Sequence, residues 1–400
     1  MANAMGLYLQ AQTAGFDRAA VLRHVRAAQY VTSVVLDDLQ LAVELGIPYA
    51  IYRKYGCEPQ PDRNDQNAGF AAADRIFEQL VSWRRTSPGS ENVHFLINNE
   101  QGFGVGVSWM YNRLIMRCAT EMNPPIGLVI GNWASGAVKC GQAGEPNAWI
   151  DAGEPILRAM DAYKNKQLPN GSKAFVIGNH DYTSLTPWIA ANGGAFQNKT
   201  TWDDRPLSID WTKPQWHLGR MIQGMMAACK HFGIPTYPPV IITESLFDTM
   251  DDVINRLGPI ALAPDADKPR GWRSLKPQWA KWYPGVDPAV HLARCHVWAW
   301  ETIYKPLGFV IGTTNYCYGN TGDWWTFRVD EPDGAPYLQA MEAYNQPTPI
   351  PTRVPTPDPV PVPIPPADSV TISREQFALF RQRVDELTKQ VDGWIIGSSD

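Results

Sequence analysis

Eight short apolar runs, rich in β-branched residues and mostly without polar/apolar alternation, recur along the chain. They lie at Gly6–Gln10, Val31–Leu36, Pro48–Tyr52, Val93–Asn98, Ile126–Ile130, Ala174–Gly178, Val240–Thr243 and Phe309–Thr313. A strand with one wet face alternates. A strand apolar throughout is buried on both faces, as in a parallel sheet covered by helices. Helical periodicity fills the intervals, at Phe16–Ala28, Gly69–Trp83, Ser108–Thr120, Pro155–Tyr163, Trp216–Phe232, Ala289–Tyr304 and Pro336–Tyr344. In the second of these, Phe70, Ala73, Ile76, Phe77 and Leu80 share one face. Three steps read as a helix end, a left-handed glycine and a new strand: Leu45-Gly46-Ile47, Phe232-Gly233-Ile234 and Leu307-Gly308-Phe309.

Strand and helix alternating eight times predict an α/β fold, a single (β/α)8 TIM barrel over residues 1–346. An open doubly wound sheet is the alternative. That fold usually places a glycine-rich phosphate loop after its first strand, where this chain has Gln10-Ala11-Gln12-Thr13. Gly102-Phe103-Gly104-Val105-Gly106 follows the fourth strand instead and lacks the spacing of a dinucleotide loop.

A chain of 400 residues with 44% hydrophobic content can bury a large core. Its net charge of -5 argues against nucleic-acid or anionic-membrane binding by charge. The six cysteines are scattered, without a CxxC pair or Cys/His ligand spacing, and read as free, mostly buried thiols. No metal site or cofactor is expected. The N-terminus shows no basic and apolar leader pattern, and no apolar stretch reaches the roughly 18–20 residues of a membrane helix. The expectation is a soluble protein, either cytoplasmic or carried out (with a virion, for example) by a route its sequence does not encode.

Beyond the barrel, residues 347–368 read as a proline-rich linker, extended and largely polyproline II, with a reach on the order of 60 Å. Residues 369–400 hold a predicted amphipathic helix. Ser373-Arg-Glu-Gln376 forms a capping box, and Phe377, Phe380, Val384, Leu387, Val391 and Trp394 follow in steps of three and four. Such a seam needs a cover. Residues 373–394 are therefore expected to form a homo-oligomer or to dock on a partner protein, with a frayed single helix as the bland alternative.

Barrels of this kind place working residues at the C-terminal ends of strands. The fourth strand ends in Asn98-Asn99-Glu100, the sixth in Asn179-His180-Asp181-Tyr182, and the seventh in Thr243-Glu244-Ser245. Trp324 and Trp325 follow the eighth. Two glutamates closing apolar strands three apart supply what glycoside hydrolysis needs: one acid to protonate the leaving oxygen, and one carboxylate to attack the anomeric carbon or activate water. Each residue also has a plainer reading, as a solvated loop carboxylate or a structural histidine; their joint order is the signal. Sixteen tryptophans suit a sugar site, because flat rings stack on pyranose faces, although any single one is more often core. Trp133, Trp188, Trp211, Trp324 and Trp325, in the loops after the fifth to eighth strands, are the candidates. His94, His291 and His296 read as structural.

This pattern resembles the large clan of retaining (β/α)8 glycoside hydrolases over roughly residues 6–345. The resemblance implies that Asn99-Glu100 supplies the acid/base and Glu244 the nucleophile. It also implies that His180 and Tyr182 contact the sugar or the carboxylates, and that Trp324 or Trp325 is the aromatic after the eighth strand. The clan often carries an arginine after the second strand. This chain has Asp37-Asp38 there, and Asp37 is a candidate contact to a sugar hydroxyl.

The expected function is cleavage of a polysaccharide or cell-surface glycan by a two-glutamate retaining mechanism. The alternatives are a non-catalytic glycan-binding barrel, an attachment or structural head displayed on the proline stalk, and a lysin-type hydrolase of cell-wall glycan.

Overall fold

A computed structural model describes residues 5–9, 30–33, 36–53, 61–62, 64–87, 89–98, 102–133, 138, 147–181, 217–245, 261–264, 266, 271–282, 285, 287–318, 329 and 333–345. The chain divides into two units, Met1–Pro347 and Thr348–Asp400. The linker and the heptad segment lie outside the described residues.

Eight parallel strands close into a barrel in sequence order. They are β1 (Met5–Leu9), β2 (Tyr30–Ser33), β3 (Tyr49–Arg53), β4 (Val93–Leu96), β5 (Gly127–Trp133), β6 (Phe175–Asp181), β7 (Val240–Ser245) and β8 (Val310–Tyr318). Each pairs in parallel with its neighbours, and β8 returns to β1. All eight fall on the apolar runs. The described side chains of β4, β5, β6 and β7 are buried throughout, as strands without alternation require.

The helices are α1 (Leu36–Glu44), α2 (Gln66–Thr86), α3 (Val105–Thr120), α4 (Ala148–Ala152), α5 (Glu154–Ala162), α6 (His217–His231), α7 (Gly271–Ser274), α8 (Lys276–Trp282), α9 (Pro288–Ala299) and α10 (Ala335–Asn345), with a π-helical turn at Trp300–Tyr304. The expected helix at Phe16–Ala28 lies outside the described residues. The glycines anticipated at helix ends have the left-handed backbone that role demands: φ is +74° at Gly46, +67° at Gly233 and +70° at Gly308.

Two boundaries differ from expectation in ways that bear on the site. The second apolar run does not stay extended to Leu36. Leu39 and Ala42 are buried at helical spacing, so α1 begins at Leu36 and takes in Asp37 as its second residue. Conversely, β5 through β8 run beyond the apolar segments into the polar residues that follow them. Register irregularities cluster there, between Gly131 and Trp133, between Asn179 and His180, and between Ile242 and Ser245. Bulges of this kind bend a strand and re-aim its side chains.

The best-defined outer contact is α2 against α3. Asp65 caps α2 by accepting from the Asn67 and Ala68 amides at 2.8 and 3.2 Å. Asp74 of α2 receives Arg113 Nε at 2.6 Å and Arg117 Nη1 at 3.0 Å from α3. A Cβ at Gly106 would lie 2.2 Å from the Asp62 carbonyl oxygen, and one at Gly69 would lie 2.1 Å from the Gly106 carbonyl oxygen. Gly106, the last of the glycine-rich run after the fourth strand, thus serves close backbone packing.

Candidate active site

The C-terminal end of β7 carries Glu244, which is only 3% exposed. A carboxylate taken out of water needs compensating charge and hydrogen bonds. Arg53, the last residue of β3, provides them. Its Nη1 donates to Glu244 Oε1, and Arg53 is itself buried. β3 and β7 lie four strands apart in a ring of eight, so this ion pair crosses the barrel. From the neighbouring strand, His180 Nδ1 lies 3.5 Å from Glu244 Oε2. The two residues are register partners on β6 and β7, brought level by the irregularity just before His180. His180 is fully buried, and its carbonyl accepts from Asn179 Nδ2 at 2.7 Å.

The result is a carboxylate with an arginine on one oxygen and an imidazole by the other. A guanidinium is the partner that best suits an ionised carboxylate. The arrangement holds Glu244 in one orientation at the end of the barrel where active sites are built.

Of the expected site residues, the structure brings Glu244 and His180 together. Asn99, Glu100, Tyr182, Trp324 and Trp325 lie outside the described residues. Asn98, next to Asn99, is buried after the end of β4. Asp37 is not a strand-end residue but belongs to the first turn of α1. Trp133 is no open platform. It ends β5 fully buried, with its ring 5.2 Å from Phe103 and 5.4 Å from Trp149.

Arg53 was not anticipated. It closes the third strand, whereas the second is followed by Asp37-Asp38. The signal was present in Tyr49-Ala-Ile-Tyr-Arg53, an apolar strand closed by an arginine.

The histidines read as structural include two well-defined cases. His94 Nε2 lies 2.7 Å from the Lys173 carbonyl, and its ring sits 5.0 Å from that of Tyr49. His296 contacts the Tyr337 hydroxyl at 3.0 Å and Thr313 Oγ1 at 3.3 Å. Burial pushes both imidazoles down to about 4. Cys118 and Cys229 are free and buried, and burial raises both thiols, that of Cys229 to about 11. They are poor nucleophiles and poor ligands in that state. Among the described residues no group of three His, Cys, Asp or Glu side chains is placed to hold a metal ion, and no helix is long and apolar enough to cross a membrane.

Comparison with known proteins gives matches at the level of structure alone. No protein-family model and no curated protein sequence matches the chain. A family 5 xyloglucanase from Paenibacillus pabuli is 13% identical with a TM-score of 0.43, over 86% of this chain and 98% of that one. The endoglucanase Cel5A of Thermotoga maritima is 13% identical with a TM-score of 0.37, over 84% and 96%. A glycoside hydrolase family 5 enzyme from Prevotella bryantii is 12% identical with a TM-score of 0.37, over 86% and 99%. These structural neighbours are glycoside hydrolases.

Proposed function

We propose that the chain is a glycoside hydrolase that cleaves a polysaccharide or cell-surface glycan with retention, with Glu244 as nucleophile and Glu100 as acid/base. The observation that carries this reading is the Glu244 carboxylate itself: buried at the C-terminal end of β7, ion-paired to Arg53 and flanked by His180. A nucleophilic carboxylate must be ionised and aimed before substrate arrives. Arg53 favours the ionised form, and the two partners on separate oxygens fix the aim. Glu100, two residues beyond the buried Asn98 at the end of the β4 segment, is the second carboxylate. Asn99, Tyr182, Asp37, Trp324 and Trp325 are the proposed sugar contacts, and His180 orients Glu244.

The reaction then follows the two-carboxylate course. Glu100 gives its proton to the glycosidic oxygen as Glu244 attacks the anomeric carbon. Water, deprotonated by Glu100, releases the sugar from the ester. The test is hydrolysis of an activated aryl glycoside across a panel of sugars, with the anomer of the first product followed by NMR. Glu244→Gln should abolish turnover. Glu100→Ala should spare good leaving groups, and added azide should rescue it as the glycosyl azide. Full activity in both variants, or no wild-type turnover on the panel, would overturn the reading.

A further inference from the structure

Glu244 can only serve if the main chain of β7 is held still beneath it, and β7 is irregular there. Its register against β8 slips between Ile242 and Ser245, and its register against β6 slips just below the His180–Glu244 pair. A strand that leaves its ladder loses the backbone hydrogen bonds that would otherwise fix its position. Side chains from three strands meet at this point.

Thr243, the residue before Glu244, is fully buried. Its hydroxyl donates to Asn132 Oδ1 and lies 3.2 Å from the Asn179 carbonyl. Asn132 sits on β5, two strands away, and is fully buried too. Its φ of +49° is in the left-handed region, where asparagine is among the few side chains that settle readily. The contact passes β6 at Gly178. A Cβ there would sit 3.3 Å from Thr243 Cγ2, 3.4 Å from Asn132 Cα and 2.5 Å from Val129 Cγ1. From the other side, the buried Thr314 of β8 donates its hydroxyl to the Thr243 carbonyl and lies 3.2 Å from that of Ile242.

We propose that Asn132, Thr243 and Thr314 form a buried polar brace, spanning β5 to β8, that fixes the main chain at Thr243 and thereby sets the position of the Glu244 carboxylate. The three are positioning residues, acting through the main chain that carries Glu244. They take the place of the ladder hydrogen bonds that the irregular register interrupts. Valine would fill the space of either threonine, and the choice of two hydroxyls follows from this bonding role; at Asn132 the left-handed backbone favours asparagine as well. The inference rests on Glu244 being the working carboxylate.

The test uses the full chain. Thr243→Val is close to isosteric and removes the hydroxyl, while Thr243→Ser keeps it. Asn132→Gly removes the amide and suits the positive φ. Displacement of a reacting group by about 1 Å can cost on the order of a hundredfold in rate. Thr243→Val and Asn132→Gly should therefore lower kcat by about tenfold to a hundredfold, with KM nearly unchanged. Thr243→Ser should restore kcat. A merely structural role predicts loss of folded protein with normal kcat per folded molecule, and that result would overturn the brace.

Crystal structures of the wild type and Thr243→Val give a readout independent of turnover. A Glu244 carboxylate displaced from Arg53 supports the brace, and one left in place overturns it whatever the activity does. Glu244→Gln separates the two ideas. If it retains full activity the catalytic reading fails, while the displacement measurement still decides whether the brace positions Glu244.

Discussion

Arg53, the last residue of β3, and Glu244, next to last in β7, form an ion pair across the barrel mouth in which both side chains are buried. The pair couples two segments 191 residues apart in the chain. Neither partner is tolerable there without the other. Removing one half of a buried pair costs about 3–5 kcal/mol, because the remaining charge has neither water nor a partner. Arg53→Met should lower unfolding stability by about that amount in urea denaturation. The double variant Arg53→Met, Glu244→Gln should regain much of the loss, since no charge is left stranded. A double variant as unstable as the sum of the singles would show that the two side chains are not coupled.

The two buried histidines give the fold an acid limit. His94 and His296 are held neutral by burial, with folded values near 4 against an unfolded value near 6.5. Between those limits the unfolded chain binds more protons than the native one, so stability rises with pH. It is complete above about pH 6.5 and drains away as pH falls toward 4, by on the order of 3 kcal/mol for each histidine. Denaturation midpoints should fall steeply across this window. In His94→Gln the slope should be shallower. Identical slopes in wild type and variant would show that His94 is not held neutral.

The crossing of α2 and α3 depends on two glycines. Gly69→Ala would place a methyl group against the Gly106 carbonyl oxygen, a backbone atom that no rotamer change can move away. The helices would have to part, loosening the Asp74 contacts to Arg113 and Arg117 as well. The expected loss is about 1–3 kcal/mol, the usual cost of overpacking. A thermal shift assay reads it. A variant with wild-type melting would show that the two helices have room for the methyl group.

Much of the fold was legible in the sequence because burial on both faces leaves an unmistakable composition. All eight strands coincide with apolar runs, and Glu244 and His180 stand out as polar residues at the ends of two of them. What the sequence does not reveal depends on register. Arg53 is visible as a strand-end arginine, but nothing local says that it meets a glutamate 191 positions away. The Thr243 contacts to Asn132 and Thr314 likewise join residues 111 and 71 positions apart, through irregular pairings that no periodicity announces. Trp133 shows the same limit from the other side: the sequence places it in a loop after the fifth strand, open to either a core or a platform reading, and its enclosure by Phe103 and Trp149 makes it core.

The C-terminal segment is expected to form an amphipathic helix. Its seam of Phe377, Phe380, Val384, Leu387, Val391 and Trp394 fits about three heptads. A helix of that length is marginal alone, since nucleation is costly and stability comes from packing. Burying each such side chain is worth roughly 1.5–3 kcal/mol. The seam is therefore expected to drive association of two or more copies at micromolar concentration, or capture of a partner protein. The barrel closes its own sheet by pairing β8 with β1, and α10 ends at Asn345. Deleting residues 347–400 should leave a folded monomeric barrel with unchanged turnover on a small soluble substrate. Light scattering of the full-length and truncated chains checks it. An oligomer that survives the deletion, or a full-length chain that stays monomeric and binds no partner, would remove the heptad from any role in assembly.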